Sequence, residues 1–309
     1  MRILVACEES QAVTWAFRNA GHEAYSCDIE PCSGGHPEWH IQDDIFKHLD
    51  DGWDLGIFHP VCTYLTISAE WAYQDIPMIN GKVKTILPGT LIGKERIAAR
   101  EKALEDVKRL MAVPYPYAIE NPVGVISTRI RKYDQKIQPW MFGHDASKGT
   151  CLWLKGLPPL EHMEIVPPAG YQLVKYAADM PLCPCCEEEV YCEEHECHFG
   201  DCDCIGPTQD DATYKMIDGY LFATLDNPPK RPVWGNQTPG GQNKLGPSKD
   251  RAKLRSKTYT GIANAMAVQW GAHLTKREPD ERDSAAFQAL STPEVLSTLR
   301  SESTPAHRK

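Results

Sequence analysis

Four apolar runs and one helical stretch fill the first 58 residues, and that alternation is the tightest constraint on how the chain folds. RILVA (2–6) has strand composition. SQAVTWAFRNAG (10–21) has helical spacing, with Ser10 placed to cap its start and Gly21 to stop it. HEAYSCD (22–28), WHIQDDI (39–45) and WDLGIF (53–58) supply three more strands. Strand–helix–strand order from the first residue predicts a parallel, doubly wound α/β sheet. Such sheets bind ligands beyond the carboxyl ends of their strands. Glu8, Asp28, Asp44 and Cys62 all stand at predicted carboxyl ends. Cys62 follows the fourth run in DLGIFHPVCTYLT (54–66). A buried cysteine is ordinarily a small hydrophobe, whereas a thiol at the mouth of a sheet is placed to be a nucleophile.

Further along, 67–90 is rich in turn formers and reads as a loop. GKERIAAREKALEDVKRLMA (93–112) is an amphipathic helix with Ile97, Leu104, Val107 and Met111 on its apolar side. PYPYAIENPVGV (114–125) is a fifth strand that runs into Glu120-Asn121-Pro122, and Arg129 and Arg131 come shortly after it. The alternation then stops. Residues 145–254 read as a separate lobe, and TYTGIANAMAVQWGAHL (258–274) returns to helical spacing. A first domain is therefore expected over 1–144 and 255–274. From 275 to 309 the chain is polar and charged, and a disordered tail is expected there.

The 309 residues carry a net charge of −9, which speaks against a general nucleic-acid binder. Charge is unevenly spread, however. Between Pro228 and Lys257 stand Lys230, Arg231, Lys244, Lys249, Arg251, Lys253, Arg255 and Lys257 against the single acid Asp250. That stretch is either a phosphate-binding face or a solvated basic loop. MRILVACEES has no cleavage site after its apolar run, and no stretch has the length of a membrane span, so a cytosolic protein is expected.

Seven of the twelve cysteines fall between 183 and 204, interleaved with histidines, in LCPCCEEEVYCEEHECHFGDCDC. In a cytosolic chain that pattern means metal rather than disulfide. Cys183-x-x-Cys186 with Cys192-x-x-His195 forms a four-ligand set for a structural Zn2+. His198, Cys202 and Cys204 begin a second set, which Cys197 would complete, so one or two ions are expected. The two histidines favour zinc over an iron–sulfur cluster.

In chain order these features are a thiol after strand four, Glu-Asn after strand five, Arg129-x-Arg131, and Gly261-x-x-Asn264-Ala265 near the end. This order resembles the DNA cytosine-5 methyltransferases. More narrowly it is similar to the phage and prophage proteins described as DNA cytosine methyltransferases, through ILVACEESQAV, GHEAYSCDI, GGHPEWHIQ, AIENPVGVISTRIRK, QPWMFGH and TCLWLKGLPPL. The resemblance covers about 1–160 and 255–272. It implies a Rossmann-like methyltransferase sheet with a smaller, zinc-containing recognition lobe. It also implies S-adenosylmethionine as methyl donor and duplex DNA with a flipped cytosine as partner. Cofactor contacts are then expected from Cys7, Glu8, Glu9, Asp28 and Ile29, and from Asp44, Pro60 and Asn264. The alternative use of Asp44 is a helix N-cap.

The chemistry explains the residue types. Carbon 5 of cytosine is a poor nucleophile. A thiolate that adds to carbon 6 turns the ring into an enamine, and carbon 5 then accepts a methyl group. A carboxyl beside ring nitrogen 3 neutralises the charge that addition builds. By resemblance Cys62 is the thiol and Glu120 the acid, with Asn121 pinning the turn that aims Glu120. Arg129 and Arg131 hold the base carbonyl and a phosphate, unless they are simply surface charges. The base would be flipped out of the duplex to reach the pocket.

Three positions depart from the family pattern. The first loop, Ala6-Cys7-Glu8-Glu9-Ser10-Gln11, has no glycine where the family has Phe-x-Gly-x-Gly. Val61 stands directly before Cys62 in place of proline. Ser127 replaces the glutamine that often precedes the arginine pair. These departures keep two rivals open. One is a non-catalytic DNA-binding protein on a decayed scaffold. The other is a related enzyme that uses a free nucleotide or a different one-carbon donor.

Overall fold

Near-continuous burial along the parallel strands sets a sheet covered on both faces. The computed structural model describes residues 1–67, 69–79, 81–86, 88–176, 191–192, 197–198, 214–225, 228–246 and 251–275. Two units are described, each by itself. The first comprises 1–137, 149–161 and the chain from 256 onward. The strand over Thr150–Lys155, which the sequence reading places with the second lobe, therefore belongs to the first unit's sheet.

In chain order the first unit holds β1 (Arg2–Ala6), α1 (Ala12–Asn19), β2 (Glu23–Asp28), β3 (His40–Gln42) and β4 (Leu55–Phe58). A small hairpin follows, β5 (Met78–Ile79) with β6 (Lys82–Val83), and then the long helix α2 (Gly93–Met111). After it come β7 (Tyr117–Pro122), α3 (Ile126–Arg129), β8 (Gln135–Ile137) and β9 (Thr150–Lys155). The seven-stranded sheet has the order β3-β2-β1-β4-β7-β9-β8. Its first five strands run parallel, and β9 lies antiparallel between β7 and β8. This mixed α/β sheet is consistent with the Rossmann-like methyltransferase fold expected from the sequence.

Leu4, Ala6, Phe58, Ile119 and Trp153 of the sheet pack with Leu104, Val107 and Leu110 of α2 in one buried cluster. Ile3 and Val5 alternate with Leu4 and Ala6 and so point to the other face, and α1 buries Val13, Ala16 and Phe17 outside that cluster. Truncating a core residue such as Leu104 to alanine costs about 2–5 kcal/mol in sites of this kind.

Local details differ from expectation for physical reasons. Helix α1 starts at Ala12, not Ser10, because Gln11 is at φ 57° and cannot be helical. Strand β3 is confined to His40–Gln42, since Asp43 and Asp44 turn the chain. Asp44 caps the 3-10 turn Ile45–Lys47 by accepting from the Phe46 N–H at 3.0 Å. On α2 the buried side includes Arg96 and Arg100 beside Leu104 and Val107, while Ile97 is exposed.

The second unit comprises 138–148 and 162–255. Its three-stranded antiparallel sheet has the order β10 (Tyr171–Tyr176), β14 (Tyr220–Thr224), β13 (Tyr214–Ile217). Asp218 and Gly219 join β13 to β14 with φ 48° and 86°, the left-handed pair that an Asp-Gly hairpin favours. Trp140 is fully buried, stacked on Trp234 at 5.4 Å and edge-on to Tyr220 and Phe222. A two-residue antiparallel ladder, β11 (Tyr191–Cys192) with β12 (Cys197–His198), pairs Cys192 with Cys197. The helix α4 (Arg251–Ser256) precedes the return to the first unit. There α5 (Thr260–Ala265), a π turn over Met266–Trp270 and α6 (Gly271–Thr275) run on as one rod, whose α5 portion packs on α1. The expected tail over 276–309 lies outside the described residues.

Candidate active site

Strand order reverses between β1 and β4, so the switch point of the sheet lies beyond their carboxyl ends. At the end of β4 the His59 N–H donates to the Ala6 carbonyl at 3.0 Å, carrying the pairing one residue further. Pro60 is buried, Val61 is exposed, and Cys62 opens a 3-10 turn over Cys62–Tyr64. The Leu65 and Thr66 N–H groups both donate to the Cys62 carbonyl, at 3.0 and 3.1 Å. Cys62 is half-buried, whereas Cys27 and Cys151 are core residues. It stands just past the carboxyl end of β4, outside the buried core cluster that holds Cys27 and Cys151.

Two neighbours hold this thiol loop by its backbone. From β7, Asn121 donates its amide to the Pro60 carbonyl at 2.7 Å in a buried hydrogen bond. Asn121 thus pins the loop that carries Cys62, rather than the turn that carries Glu120. Just beyond β7, Gly124 pairs with Thr66, and the Val125 N–H donates to the Leu65 carbonyl at 2.8 Å. A Cβ on Gly124 would lie 2.0 Å from the Leu65 carbonyl oxygen, so only glycine allows this approach. From α2, Arg96 donates to the Thr63 carbonyl at 3.0 Å and Arg100 to the Tyr64 carbonyl at 2.9 Å. Tyr73 adds its hydroxyl to the same Tyr64 carbonyl at 2.9 Å, and the Arg100 guanidinium lies 3.5 Å over the Tyr73 ring. Both arginines are buried, and Glu70 pairs with Arg100 at 2.5 Å. Buried guanidinium groups that satisfy loop carbonyls give a fixed loop, because losing such a bond strands a charge.

Glu120 is buried near the end of β7. Its Oε2 lies 3.3 Å from His59 Nδ1 and accepts the Thr258 hydroxyl at 3.2 Å. Thr258, itself buried, comes from the segment just before α5. A thiol and a buried carboxylate therefore stand at the ends of adjacent strands, joined through the Asn121–Pro60 bond.

Several of the residues expected to contact a cofactor are engaged in local structure. Glu8 is buried, and its carboxylate caps α1, accepting from the Val13 N–H at 2.6 Å, the Thr14 N–H at 3.1 Å and the Thr14 hydroxyl at 2.8 Å. Burial pushes the Glu8 pKa up, against lowering by His59 and these donors. Cys7 and Gln11 both adopt φ 57°, so the glycine-free loop takes left-handed turns at ordinary residues, at roughly 1–2 kcal/mol each. Gln11 compensates by bonding the His36 backbone through both its oxygen and nitrogen, at 3.1 and 2.8 Å. Gly34 lies close under it, since a Cβ there would fall 2.5 Å from Gln11 Cβ. Burial and the nearby Asp28 push the Cys7 thiol up to about 12. Glu9 accepts the Ser33 hydroxyl. Asp28, half-buried at the end of β2, accepts from the Glu30 N–H at 2.9 Å, while Ile29 and Asp44 are exposed. Asn264 is half-buried on α5.

The two arginines are engaged in ion pairs of their own. Arg129 reaches back to Glu101 of α2 at 2.8 Å. Arg131 makes two bonds to Asp134, at 3.0 and 2.8 Å, and one to the Leu154 carbonyl at 3.0 Å. Leu154 lies opposite Ala118, two residues before Glu120 on β7, so Arg131 sits toward the other end of the strand. Of the metal candidates, Cys183, Cys186, His195, Cys202 and Cys204 lie outside the described residues, and Cys192 and His198 are described only as ladder backbone. His59, Thr258, Arg96 and Arg100 are the site residues that sequence reasoning missed. His59 alone carried a signal, three residues before the thiol at a strand end.

No family model matches the chain, and no curated protein matches it. Among solved structures it is similar to one described as a candidate DNA modification methyltransferase encoded within a prophage (E. coli), at 13% identity and a TM-score of 0.30. The match covers 50% of this chain and 46% of that one, so the chain spans less than half of that structure's length. A likeness at that score fixes neither fold nor activity.

Proposed function

We propose that the chain is a DNA cytosine-5 methyltransferase that forms a covalent adduct between Cys62 and a flipped cytosine. The observation that carries this reading is the Asn121–Pro60 bond, which joins the thiol loop to the strand bearing the buried Glu120. In this reading Cys62 adds to carbon 6 while Glu120 gives a proton to ring nitrogen 3. The clamp from Arg96, Arg100 and Asn121 keeps the thiol aimed during addition. S-adenosylmethionine, when bound, supplies an electrophilic methyl group to carbon 5. Asp28, half-buried at the end of β2, fits its ribose hydroxyls, and Glu9 is the acid on the loop after β1 that does not cap α1. Glu8 is committed to the helix cap, and Arg129 and Arg131 are left to their ion pairs. Within the lobe, the Cys/His spacing over 183–204 supports a structural zinc site. Metal determination on purified protein is expected to find one or two equivalents, and none would remove zinc from the reading.

Labelled S-adenosylmethionine and cytosine-containing DNA should give label at carbon 5, and a 5-fluorocytosine duplex should trap Cys62. No label and no adduct would overturn the catalytic reading. The left-handed Cys7 and Gln11 in place of glycines favour one rival, a DNA-binding protein without cofactor affinity. Calorimetry separates the two: heat on adding S-adenosylmethionine supports the enzyme, and salt-sensitive DNA binding without that heat supports the rival.

A further inference from the structure

Glu120 can protonate ring nitrogen 3 only if it has a proton to give. A carboxyl beside an imidazolium stays ionised, so the proton has to be passed to it by that neighbour. The neighbour here is His59, whose Nδ1 lies 3.3 Å from Glu120 Oε2, with both side chains largely removed from solvent. Three further groups bear on this imidazole. Glu8, from the loop after β1, is close enough for His59 to offset its charge. Cys62 lies three residues on in the same loop, and neutral Thr258 bonds the same Glu120 oxygen. Among the described residues, His59 is a basic side chain set against two buried carboxylates at the switch point.

We propose that His59 is the proton store of the site, acting through Glu120. This rests on the methyl-transfer reading above. As Cys62 Sγ bonds to carbon 6, the His59 imidazolium passes its Nδ1 proton to the Glu120 carboxylate and Glu120 passes a proton on to ring nitrogen 3, leaving neutral His59 and ionised Glu120. After carbon 5 has gained its methyl group, its proton leaves to water. The carbon 6–sulfur bond then breaks to restore the thiolate, and nitrogen 3 returns its proton through Glu120 to His59. Protons and electron pairs balance, with no oxidant or reductant involved.

Two measurements test it on the full chain. The first needs no activity: the His59 ring is titrated by nitrogen-15 NMR in wild type and in Glu120→Gln. Loss of the carboxylate should lower the His59 midpoint by about one pH unit or more, and an unchanged midpoint overturns the proposal. The second follows the pH dependence of 5-fluorocytosine adduct formation. Wild type should lose rate as pH rises through the His59 midpoint. His59→Gln should be slower by about 10²-fold, with that alkaline limb gone and DNA affinity kept; a retained limb overturns the proposal. If wild type forms no adduct at any pH, the methyl-transfer reading fails while the NMR coupling still stands or falls by itself. If adduct forms but the coupling is absent, only the proton store fails.

Discussion

Val61 stands at φ −53° and ψ 116°, within the range a proline ring imposes, and its side chain is exposed. The residue that departs from the family pattern therefore already holds the backbone that proline would give. Val61→Pro is expected to leave the proposed Cys62 adduct formation unchanged and to raise stability by about 0.4–1 kcal/mol through the unfolded chain; a melting curve checks this. Thiol chemistry offers a second check. Burial pushes Cys7 and Cys27 up to about 12 and Cys151 to about 11, leaving all three protonated at pH 8. Among the described cysteines, iodoacetamide at pH 8 should label Cys62 and Cys32 well before these three, read by peptide mass mapping. Glu8 makes a pH prediction. Its folded pKa is raised, so its contribution to stability is fully present below the ordinary carboxylate pKa and is lost as pH rises through the folded value. Glu8→Gln should remove that fall, seen as a smaller loss of stability between pH 4.5 and 8 in denaturant titrations.

At the scale of elements, α2 does more than cover the sheet. Its Arg96 and Arg100 reach the carbonyls of Thr63 and Tyr64, next to the thiol. Arg100→Lys cannot reproduce the planar fork that spans Tyr64 and Glu70. It is expected to slow Cys62 adduct formation by about tenfold or more while DNA affinity stays near wild type. Equal losses in both would make Arg100 a general structural residue. This clamp was not legible in the sequence. Arginines at 96 and 100 sit four apart on an otherwise charged helix, where solvated charge is the ordinary expectation, and their partners lie more than thirty residues away. The first five strands of the sheet and the long helix were legible, because apolar runs ending in reactive residues are a local pattern, whereas β8, the place of β9 in this sheet and the Asn121–Pro60 bond were not. Glu120 was found by the same pattern, but Thr258, 138 residues further on, was not. Glu8 was misread as free for a ligand because nothing in the loop shows that Gln11 is left-handed and that α1 must be capped from before it.

Across the whole molecule, charge is negative in sum and positive over 228–257. Lys230, Arg231 and Lys244 are exposed there. If that stretch tracks phosphates, replacing the three with glutamine should flatten the log–log salt dependence of DNA binding by roughly 2–3. An unchanged slope would return the stretch to a solvated loop. The contact at Gly124 carries a further consequence. Because Leu65 and Thr66 are bonded to Gly124 and Val125 at backbone distance, the thiol loop was ordered when the chain folded. Adduct formation should then show little unfavourable activation entropy, and its rate should be insensitive to solvent viscosity. Gly124→Ala, by forcing the two segments of that contact apart, should bring both signatures back, with a slower step whose temperature dependence reports a loop searching for its place.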